Sequence, residues 1–229
     1  MAMQCCNLIG KTAIITGASR GIGKSIKEIL SKDEIEIISP TRNELDLSSS
    51  ESIDKFLSQT SADIDIIINN AGILKVGEHN EFSSDDFHEI LQVNVVAPFK
   101  IISGFVEKMK IHSFGRIVNI SSVWGQKSKK GRMLYSSSKA ALDALTRSLA
   151  IEFASYNILI NSVAPGYIET DMLKQCNTEE ELSIIRDTIP MKRFGKKIEI
   201  AELVRFLSSE DNSYITGQVF TIDGGYTCK

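Results

Sequence analysis

Short runs of aliphatic residues recur along the chain and alternate with longer segments in which the apolar residues have helical spacing. Strands that alternate with helices in this way are typical of parallel βαβ units. The runs that we interpret as strands are residues 12–16, 35–39, 64–69, 116–121, 158–163 and 219–222.

The run at residues 64–69 is apolar at nearly every position rather than at alternate ones. A strand of this kind is buried on both faces, which requires helices above and below the sheet. The pattern therefore predicts an α/β fold, a Rossmann-type doubly wound parallel sheet of about seven strands in a three-layer α/β/α sandwich. No repeat or linker divides the chain, so we expect residues 1–229 to form a single domain.

The regular alternation is interrupted at residues 167–197, which are polar and weakly patterned and lie between two strand signals. An excursion of this length inside a compact domain is usually functional. We expect this segment to be a substrate lid. Earlier in the chain, we expect Val123 and Trp124 to line the substrate cleft, although the tryptophan is equally compatible with a position in the core.

The composition is that of a folded globular protein without a bulk positive charge. Hydrophobic residues make up 42% of the 229 residues and charged residues 24%, which excludes an intrinsically disordered chain. Twenty-six basic and 29 acidic residues give a net charge of −3, which disfavours nucleic acid and anionic membranes as partners. We find no apolar run of transmembrane length and no signal-like N-terminus, and we therefore expect a cytoplasmic protein.

The four cysteines indicate neither a metal site nor a disulfide framework. No C-x-x-C pair and no histidine at metal-ligand spacing accompanies them. They are Cys5, Cys6, Cys176 and Cys228.

A glycine-rich turn, TGASRGIG at residues 16–23, joins the first predicted strand to a predicted helix. Its glycines allow the backbone to approach a pyrophosphate, whose charge would lie at the N-terminus of the helix. Two other interpretations stay open at this point. Gly23-Lys24-Ser25 suggests the phosphate-binding loop of a nucleotide kinase, although the glycine spacing is one residue too long. The turn is also compatible with a purely structural junction.

Further motifs follow this turn in a fixed order. They are NNAG at residues 69–72, Asn94, NISS at 119–122, YSSSK at 135–139, APGYIETDM at 164–172 and ITGQ at 215–218. Together with the glycine-rich turn they resemble the short-chain dehydrogenase/reductase family over essentially the whole chain. Within that family the chain looks most like the bacterial 3-oxoacyl-(acyl carrier protein) reductases and their relatives.

Tyr135 and Lys139 are four residues apart and therefore share one face of the predicted helix. A lysine ammonium beside a phenol stabilises the phenolate, which would lower the pKa of Tyr135 from about 10 toward neutrality. Taken alone, this spacing is also typical of an amphipathic surface pair, and a serine at a strand end is often only a turn residue or cap.

The resemblance implies a catalytic role for four residues. Ser122 would hydrogen bond the substrate carbonyl, Tyr135 would act as general acid/base, Lys139 would also bind the nicotinamide ribose, and Asn94 would hold a water of the proton relay. The cofactor site implied in the same way consists of Gly17, Ser19, Arg20, Gly21, Ile22, Gly23, Arg42, Asp46, Leu47, Asn70, Ala71, Gly72, Tyr135, Lys139, Pro165, Gly166, Ile168 and Thr170.

The choice of cofactor depends on the residues that follow the second predicted strand. An acidic side chain at this place selects NAD, whereas this chain has Ser39-Pro40-Thr41-Arg42. Arg20 and Arg42 have the planar fork that suits a phosphate, so NADPH is favoured over NADH. The chain departs from its relatives here, because almost no residues remain for a helix before Asp46, which matches the family's adenine-contacting acid.

The substrate is indicated by basic residues near the cleft. A basic stretch at residues 127–132 is compatible with a solvated loop, or with attraction of an acidic or phosphate-bearing substrate such as an acyl carrier protein, a coenzyme A thioester or a nucleotide sugar. Arg116 and Lys174 fall where the resembling reductases carry docking residues. The leading interpretation is reduction of 3-oxoacyl thioesters.

Two other functions are kept open. One is a reductase or dehydrogenase of a sugar, a polysaccharide precursor or another small ketone, since the fold and catalytic set do not determine the substrate. The other is a non-catalytic dinucleotide-sensing protein. The resemblance also implies a homotetramer, with residues 86–110 and 135–154 packing between subunits and the C-terminal segment forming a second interface.

Overall fold

The computed structural model of the chain describes residues 7–171, 173 and 177–228. Among these residues, six strands form one parallel sheet in the order β2-β1-β3-β4-β5-β6. The strands are β1 (Thr12–Ile15), β2 (Glu36–Ile38), β3 (Ile66–Asn69), β4 (Gly115–Ile120), β5 (Ile158–Pro165) and β6 (Val219–Ile222). The predicted doubly wound α/β fold is confirmed.

Helices cover both faces of the sheet. They are α1 (Gly21–Leu30), α2 (Ser50–Gln59), α3 (Ser84–Leu91), α4 (Ala97–His112), α5 (Met133–Phe153), α6 (Glu179–Thr188) and α7 (Lys197–Ser208). A π-helical turn, Gln92–Val96, joins α3 to α4. The core residues of α1 and α7 lie on one face, and those of α2, α4 and α5 lie on the other.

The strands are buried on both faces, as their continuous aliphatic runs predict. In β3, Ile66 and Ile68 pack with α1 and α7, whereas Ile67 packs with α4 and α5. All three side chains are fully buried. Because successive side chains of a strand point to opposite faces, only an unbroken aliphatic run can supply both halves of the core.

The sheet has six strands in the described part of the chain, not the predicted seven or so. Only residues 39–44 separate β2 from the segment around Leu45, whereas a crossover to a further parallel strand needs about a dozen residues. Leu45 is buried against the core but belongs to no strand. The three-residue strand β2 therefore forms the edge of the sheet.

The apolar composition of residues 84–112 is explained by their burial in the core. This segment is long and apolar enough in composition to cross a membrane, although the aliphatic runs alone indicated no such stretch. Half of its most apolar window is buried inside the protein. Ile101, Ile102 and Phe105 of α4 contribute to the core, which accounts for the apolar composition.

The segment predicted to be a lid has a small core of its own. A bridge between Ile168 and Gly195 brings its two ends together. Between them, α6 begins with a capping box in which Thr178 and Glu181 bond to each other's backbone. Leu182, Ile185, Ile189 and Phe194 form a separate apolar cluster.

Replacing Ile67 by alanine tests the two-faced core. The cavity left between β3 and the α4/α5 layer should lower the free energy of unfolding by about 2–5 kcal/mol, measured by urea titration. The matched control is Ile9→Ala, because Ile9 is 67% exposed and its truncation should change stability by less than about 0.5 kcal/mol. Equal effects of the two substitutions would contradict this description of the core.

Candidate active site

A cleft of about 330 Å³ lies at the carboxyl ends of the central strands. Its walls come from the segments that follow β1, β3, β4 and β5. The order of the strands reverses between β1 and β3, and ligands of open α/β sheets bind at such a switch point. The cleft is therefore the place where the fold leads us to expect a ligand.

The glycine-rich turn forms one end of this cleft. Gly17 and Gly21 have φ angles of +67° and +60°, a left-handed conformation that disfavours other residues. A Cβ atom on Gly23 would lie 2.3 Å from Asn70 Nδ2, which itself donates to Thr16 O at 2.9 Å. The turn therefore packs too closely for side chains and leaves the backbone exposed to a ligand.

The amino end of α1 faces the same turn. The helix begins at Gly21, and the side chain of its N-cap residue, Arg20, makes no capping hydrogen bond. Amide groups that no side chain caps, together with the helix dipole, favour an anion at this place. The site fits the pyrophosphate of a dinucleotide. Lys24, the lysine of the kinase interpretation, instead pairs with Glu28 on the exposed surface of α1.

Ser122 and Tyr135 meet in the middle of the cleft. Ser122 follows β4 and accepts a hydrogen bond from Trp124 N at 3.2 Å. Tyr135 lies in the first turn of α5, and its hydroxyl group is hydrogen bonded to the Ser122 side chain. Lys139 is one helical turn further on, with Nζ 5.6 Å from the centroid of the Tyr135 ring.

Asn94 is brought to the same place by the π-helical turn. Its Nδ2 donates to Ile73 O and to Ser138 Oγ, both at 3.0 Å, and its Oδ1 accepts from Ile73 N at 2.9 Å. A Cβ atom on Gly72 would lie 3.1 Å from Asn94 Oδ1 and 3.5 Å from Lys139 Nζ. A π-helical turn of this kind is often found at functional sites.

Burial shifts the pKa values of the two residues on α5 in opposite senses. It raises the pKa of Tyr135, and the hydrogen bond from Ser122 and the charge of Arg132 offset only part of this rise. The expectation that Lys139 brings the pKa of Tyr135 toward neutrality is therefore wrong in this geometry. The ammonium of Lys139 donates to Ile120 O at 2.7 Å, and burial lowers its own pKa to about 8.

Asp143 is a buried acid one turn after Lys139. It is 3% exposed, and the side chains of Ser121 and Ser162 offset only part of the effect of burial on its pKa. Burial raises the pKa of Asp143, and its charge raises that of Lys139 against the larger effect of desolvation. The sequence analysis missed this residue. The signal was an acid at helical spacing from Tyr135 and Lys139.

Fourteen of the 18 predicted cofactor residues line the cleft, and four do not. Those at its walls are Gly17, Ser19, Arg20, Gly21, Ile22, Asn70, Ala71, Gly72, Tyr135, Lys139, Pro165, Gly166, Ile168 and Thr170. Gly23 packs directly behind them. Arg42, Asp46 and Leu47 follow the edge strand β2 instead, and Arg42 Nε lies 3.7 Å from Asp46 Oδ2.

A lysine that the sequence analysis missed lies at the carboxyl end of β2. Lys27 Nζ donates to Ser39 Oγ, the first residue after β2, at 2.7 Å. No sequence motif identifies this lysine, because its position depends on the contact between α1 and the sheet edge.

The position of Arg116 contradicts its predicted role as a docking residue. It is 2% exposed, and its guanidinium donates to the backbone carbonyls of Gly115, Asn157 and Ser209. Burial lowers its pKa to about 10. It lies near the amino end of β4, at the opposite edge of the sheet from the cleft. Arg116 therefore supports the fold and is not exposed for docking, whereas Lys174 lies outside the described residues.

The basic stretch borders a second, more open cavity of about 680 Å³. Lys127, Lys129 and Lys130 line this cavity, and Lys130 Nζ pairs with Glu78 at 2.6 Å. Arg132, the last residue of the stretch, lines the first cleft instead.

Aromatic rings form the outer wall of the first cleft. Trp124, Tyr167 and Tyr226 contact one another edge to face, with ring centroids 5.3–6.1 Å apart. Trp124 lines the cleft, as predicted. Val123 is 1% exposed and does not line it, so that prediction is wrong.

The chain is similar to known proteins over nearly its whole length. A family model described as enoyl-(acyl carrier protein) reductase matches residues 8–227. The chain is 40% identical to a 3-oxoacyl-[acyl-carrier-protein] reductase of Aquifex aeolicus over 95% of its own length and 98% of that protein. The chain belongs to the short-chain dehydrogenase/reductase family.

Solved structures of similar proteins include two dehydrogenases. A putative NAD(P)-dependent gluconate 5-dehydrogenase from Beutenbergia cavernae, with bound NADP, has a TM-score of 0.92 and 28% identity, covering 97% of this chain and 99% of that one. A 4-hydroxyisoleucine dehydrogenase complexed with NADH has a TM-score of 0.88 and 31% identity, covering 96% and 100%. As a short-chain dehydrogenase/reductase, the chain is an oxidoreductase of a family that binds nicotinamide dinucleotides.

The pKa of Lys139 in this short-chain dehydrogenase/reductase should depend on Asp143. Asp143→Asn removes the charge that raises the pKa of Lys139, so the ammonium should lose its proton at a lower pH than the value of about 8 in the unsubstituted protein. The measurement is an NMR pH titration of the Lys139 side chain, assigned with Lys139→Arg. Asp46→Asn is the control. An unchanged titration in Asp143→Asn would rule out the coupling.

Proposed function

We propose that this protein is an NADPH-dependent oxidoreductase that reduces a carbonyl group to an alcohol, with 3-oxoacyl thioesters as the leading substrate class. The observation that carries the proposal is the hydrogen-bonded Ser122 and Tyr135 pair, which lies in a cleft between a dinucleotide-type glycine turn and Lys139. A non-catalytic sensor has no need of this complete arrangement.

The reaction needs a hydride, which a bound nicotinamide dinucleotide supplies. The chain's own residues do the rest in the proposed mechanism. The Ser122 hydroxyl binds and orients the carbonyl oxygen of the substrate, and Tyr135 donates its proton to that oxygen as charge develops there. Because burial raises the pKa of Tyr135, the phenol holds its proton at neutral pH, which suits the reductive direction.

Lys139 and Asn94 hold the surroundings of the tyrosine in place. The ammonium of Lys139 supplies positive charge near the phenol and, in the proposed role, also binds the ribose of the cofactor. Asn94 links the segment after β3 to Ser138 of α5, so that it positions the face of the helix that carries Tyr135. We propose that it also holds a water of the proton relay.

The preference for NADPH is supported by the charges around the end of β2. Ser39 replaces the acid that would select NAD there, and Lys27 contacts it. Arg42, in the next turn, has an 81% exposed side chain and is paired only loosely with Asp46. A phosphate on the ribose would therefore meet two cations at the edge of the sheet.

The thioester proposal is supported by the relative of 40% identity and by Lys127, Lys129 and Lys130 beside the cleft, which suit an acidic carrier protein. A second candidate is a small hydroxy acid or sugar acid, because the similar structures carry the names gluconate 5-dehydrogenase and 4-hydroxyisoleucine dehydrogenase. In both cases residues 167–197 would act as the lid over the substrate.

We also propose a cytoplasmic homotetramer. Its support is the exposure of large apolar side chains on the long helices, namely Phe99 of α4 at 47% and Ile151 of α5 at 84%. Exposed apolar residues on two helices are compatible with contacts between subunits.

Turnover of acetoacetyl-coenzyme A with NADPH tests the function. We expect NADPH consumption by the purified protein and a loss of at least about 10²-fold in kcat in Tyr135→Phe, since general acid catalysis contributes about 10²–10⁴-fold. Tyr156→Phe, at an exposed tyrosine outside the cleft, is the matched control and should retain full activity. Equal turnover by the protein and Tyr135→Phe would refute the proposed chemistry.

The choice of cofactor is tested by Lys27→Met and Arg42→Met. Each substitution should weaken NADPH binding by about tenfold through loss of one charged contact, with little effect on NADH. Equilibrium dissociation constants from cofactor fluorescence give the comparison. Lys32→Met, beyond the end of α1, is the control. Equal affinities for NADPH and NADH in the unsubstituted protein would overturn the preference.

A further inference from the structure

Arg132 is a partly buried cation in the cleft, and one of its guanidinium nitrogens is shielded from solvent. It is the residue just before α5, three positions before Tyr135, and it lines the same cleft. Its Nη1 is shielded from solvent and has no hydrogen-bond partner among the described residues. A guanidinium stays charged at all relevant pH values, so the cost of this unpaired donor cannot be avoided by losing a proton.

Two other arginines of the described chain, one buried and one partly buried, have partners. Arg116 donates to three backbone carbonyls, and Arg205 forms a two-pronged ion pair with Asp33. Leaving a buried donor unpaired costs about 1–3 kcal/mol, and more for a charged group. An exception at the wall of the reactive cleft therefore points to a ligand oxygen as the missing acceptor.

The guanidinium lies close to the reacting centre. Its charge lowers the pKa of both Tyr135 and Tyr167, so it acts on the proton donor and on the aromatic outer wall of the cleft. Asp171, the carboxylate that lines this cleft, forms no ion pair with Arg132 in the described structure. A molecule whose carbonyl contacts Ser122 and Tyr135 can therefore present a second oxygen to Arg132.

We propose that Arg132 is a specificity-determining residue that binds the carboxyl-derived oxygen of a 3-oxo substrate. This inference rests on the proposed carbonyl reductase function and names the group that distinguishes the substrate from a plain ketone. The oxygen is either the carbonyl of a thioester or one oxygen of a free carboxylate. A thioester carbonyl accepts through one oxygen, whereas a carboxylate can accept from two N–H groups of the guanidinium fork.

Paired substrates separate recognition from catalysis. Acetoacetyl-coenzyme A and acetoacetate carry the carboxyl-derived oxygen, whereas 2-pentanone is a ketone without it. Arg132→Met keeps the length of the side chain and removes every donor. It should lower kcat/KM for at least one of the two acetoacetyl substrates by about 10–100-fold, and lower that for 2-pentanone less than threefold, since a hydrogen bond to a charged group contributes about 1.5–3 kcal/mol.

Arg132→Lys should recover part of the loss, because it restores the charge without the fork. Arg147→Met is the matched control, since Arg147 is an exposed arginine of the same helix outside the cleft, and its ratio of kcat/KM values between substrates should not change. An effect on acetoacetate alone identifies a free acid, and an effect on the thioester alone identifies a carrier-linked substrate. Equal losses for all three substrates would overturn the proposal.

Binding without turnover provides a second readout. Trp124 is the only tryptophan and lines the cleft, so its fluorescence reports occupancy in the Tyr135→Phe background. Acetoacetate or acetoacetyl-coenzyme A should bind at least tenfold more weakly when Arg132→Met is added. Arg132-dependent binding with no turnover in the native protein would contradict the reductase function alone. Binding that does not depend on Arg132 would contradict the inference alone.

Discussion

The reactive side chains depend on how α5 is held against the carboxyl halves of β4 and β5. Thr146 accepts a hydrogen bond from Asn119 Nδ2 at 2.8 Å and pairs with Ser162 Oγ at 2.8 Å, while Asn69 donates to Asn119 Oδ1. These bonds form a buried polar chain across β3, β4, α5 and β5. Asn69 Oδ1 has no partner among the described residues, but the bonds through Asn119, Thr146 and Ser162 favour one rotation and one register of the helix. That constraint holds Tyr135 opposite Ser122.

The burial of α5 also shifts the pKa values of two of its residues, Tyr135 and Lys139. Tyr135 keeps its proton more firmly than a free phenol, and Lys139 releases its proton more easily than a free amine, because desolvation disfavours the charged form of each. Asp143 opposes the shift at Lys139 from one turn away. Burial therefore moves the two pKa values apart, which in the proposed mechanism separates the group that donates the proton from the neighbour that supplies positive charge.

The fold and the centre of the site could be predicted from sequence because both depend on local spacing. Aliphatic runs indicate strands buried on both faces, and a separation of four residues places Tyr135 and Lys139 on one side of a helix. The errors concern burial, which spacing does not reveal. Arg116 is charged yet satisfied inside the fold, Val123 is turned into the core, and the seventh strand fails because residues 39–44 are too few for a crossover. The burial of Asp143 and the missing partner of Arg132 Nη1 depend on how α5 packs against the sheet, so the sequence alone does not indicate them.

The basic residues near the cleft occupy two places, an open outer cavity and the wall of the inner cleft. The two places favour different parts of a substrate. Lys127, Lys129 and Lys130 border an open cavity, where attraction is screened by solvent and acts mainly on the encounter with an acidic partner. Arg132 has a nitrogen shielded from solvent and lines the same cleft as Tyr135, the proposed proton donor, so that a single acceptor oxygen has a larger effect on binding there. A 3-oxoacyl group on an acidic carrier could contact both places at once. Its thioester oxygen lies near the ketone and could reach Arg132, while the carrier remains outside, beside the lysines. A small oxo acid would contact Arg132 without contacting Lys127, Lys129 and Lys130.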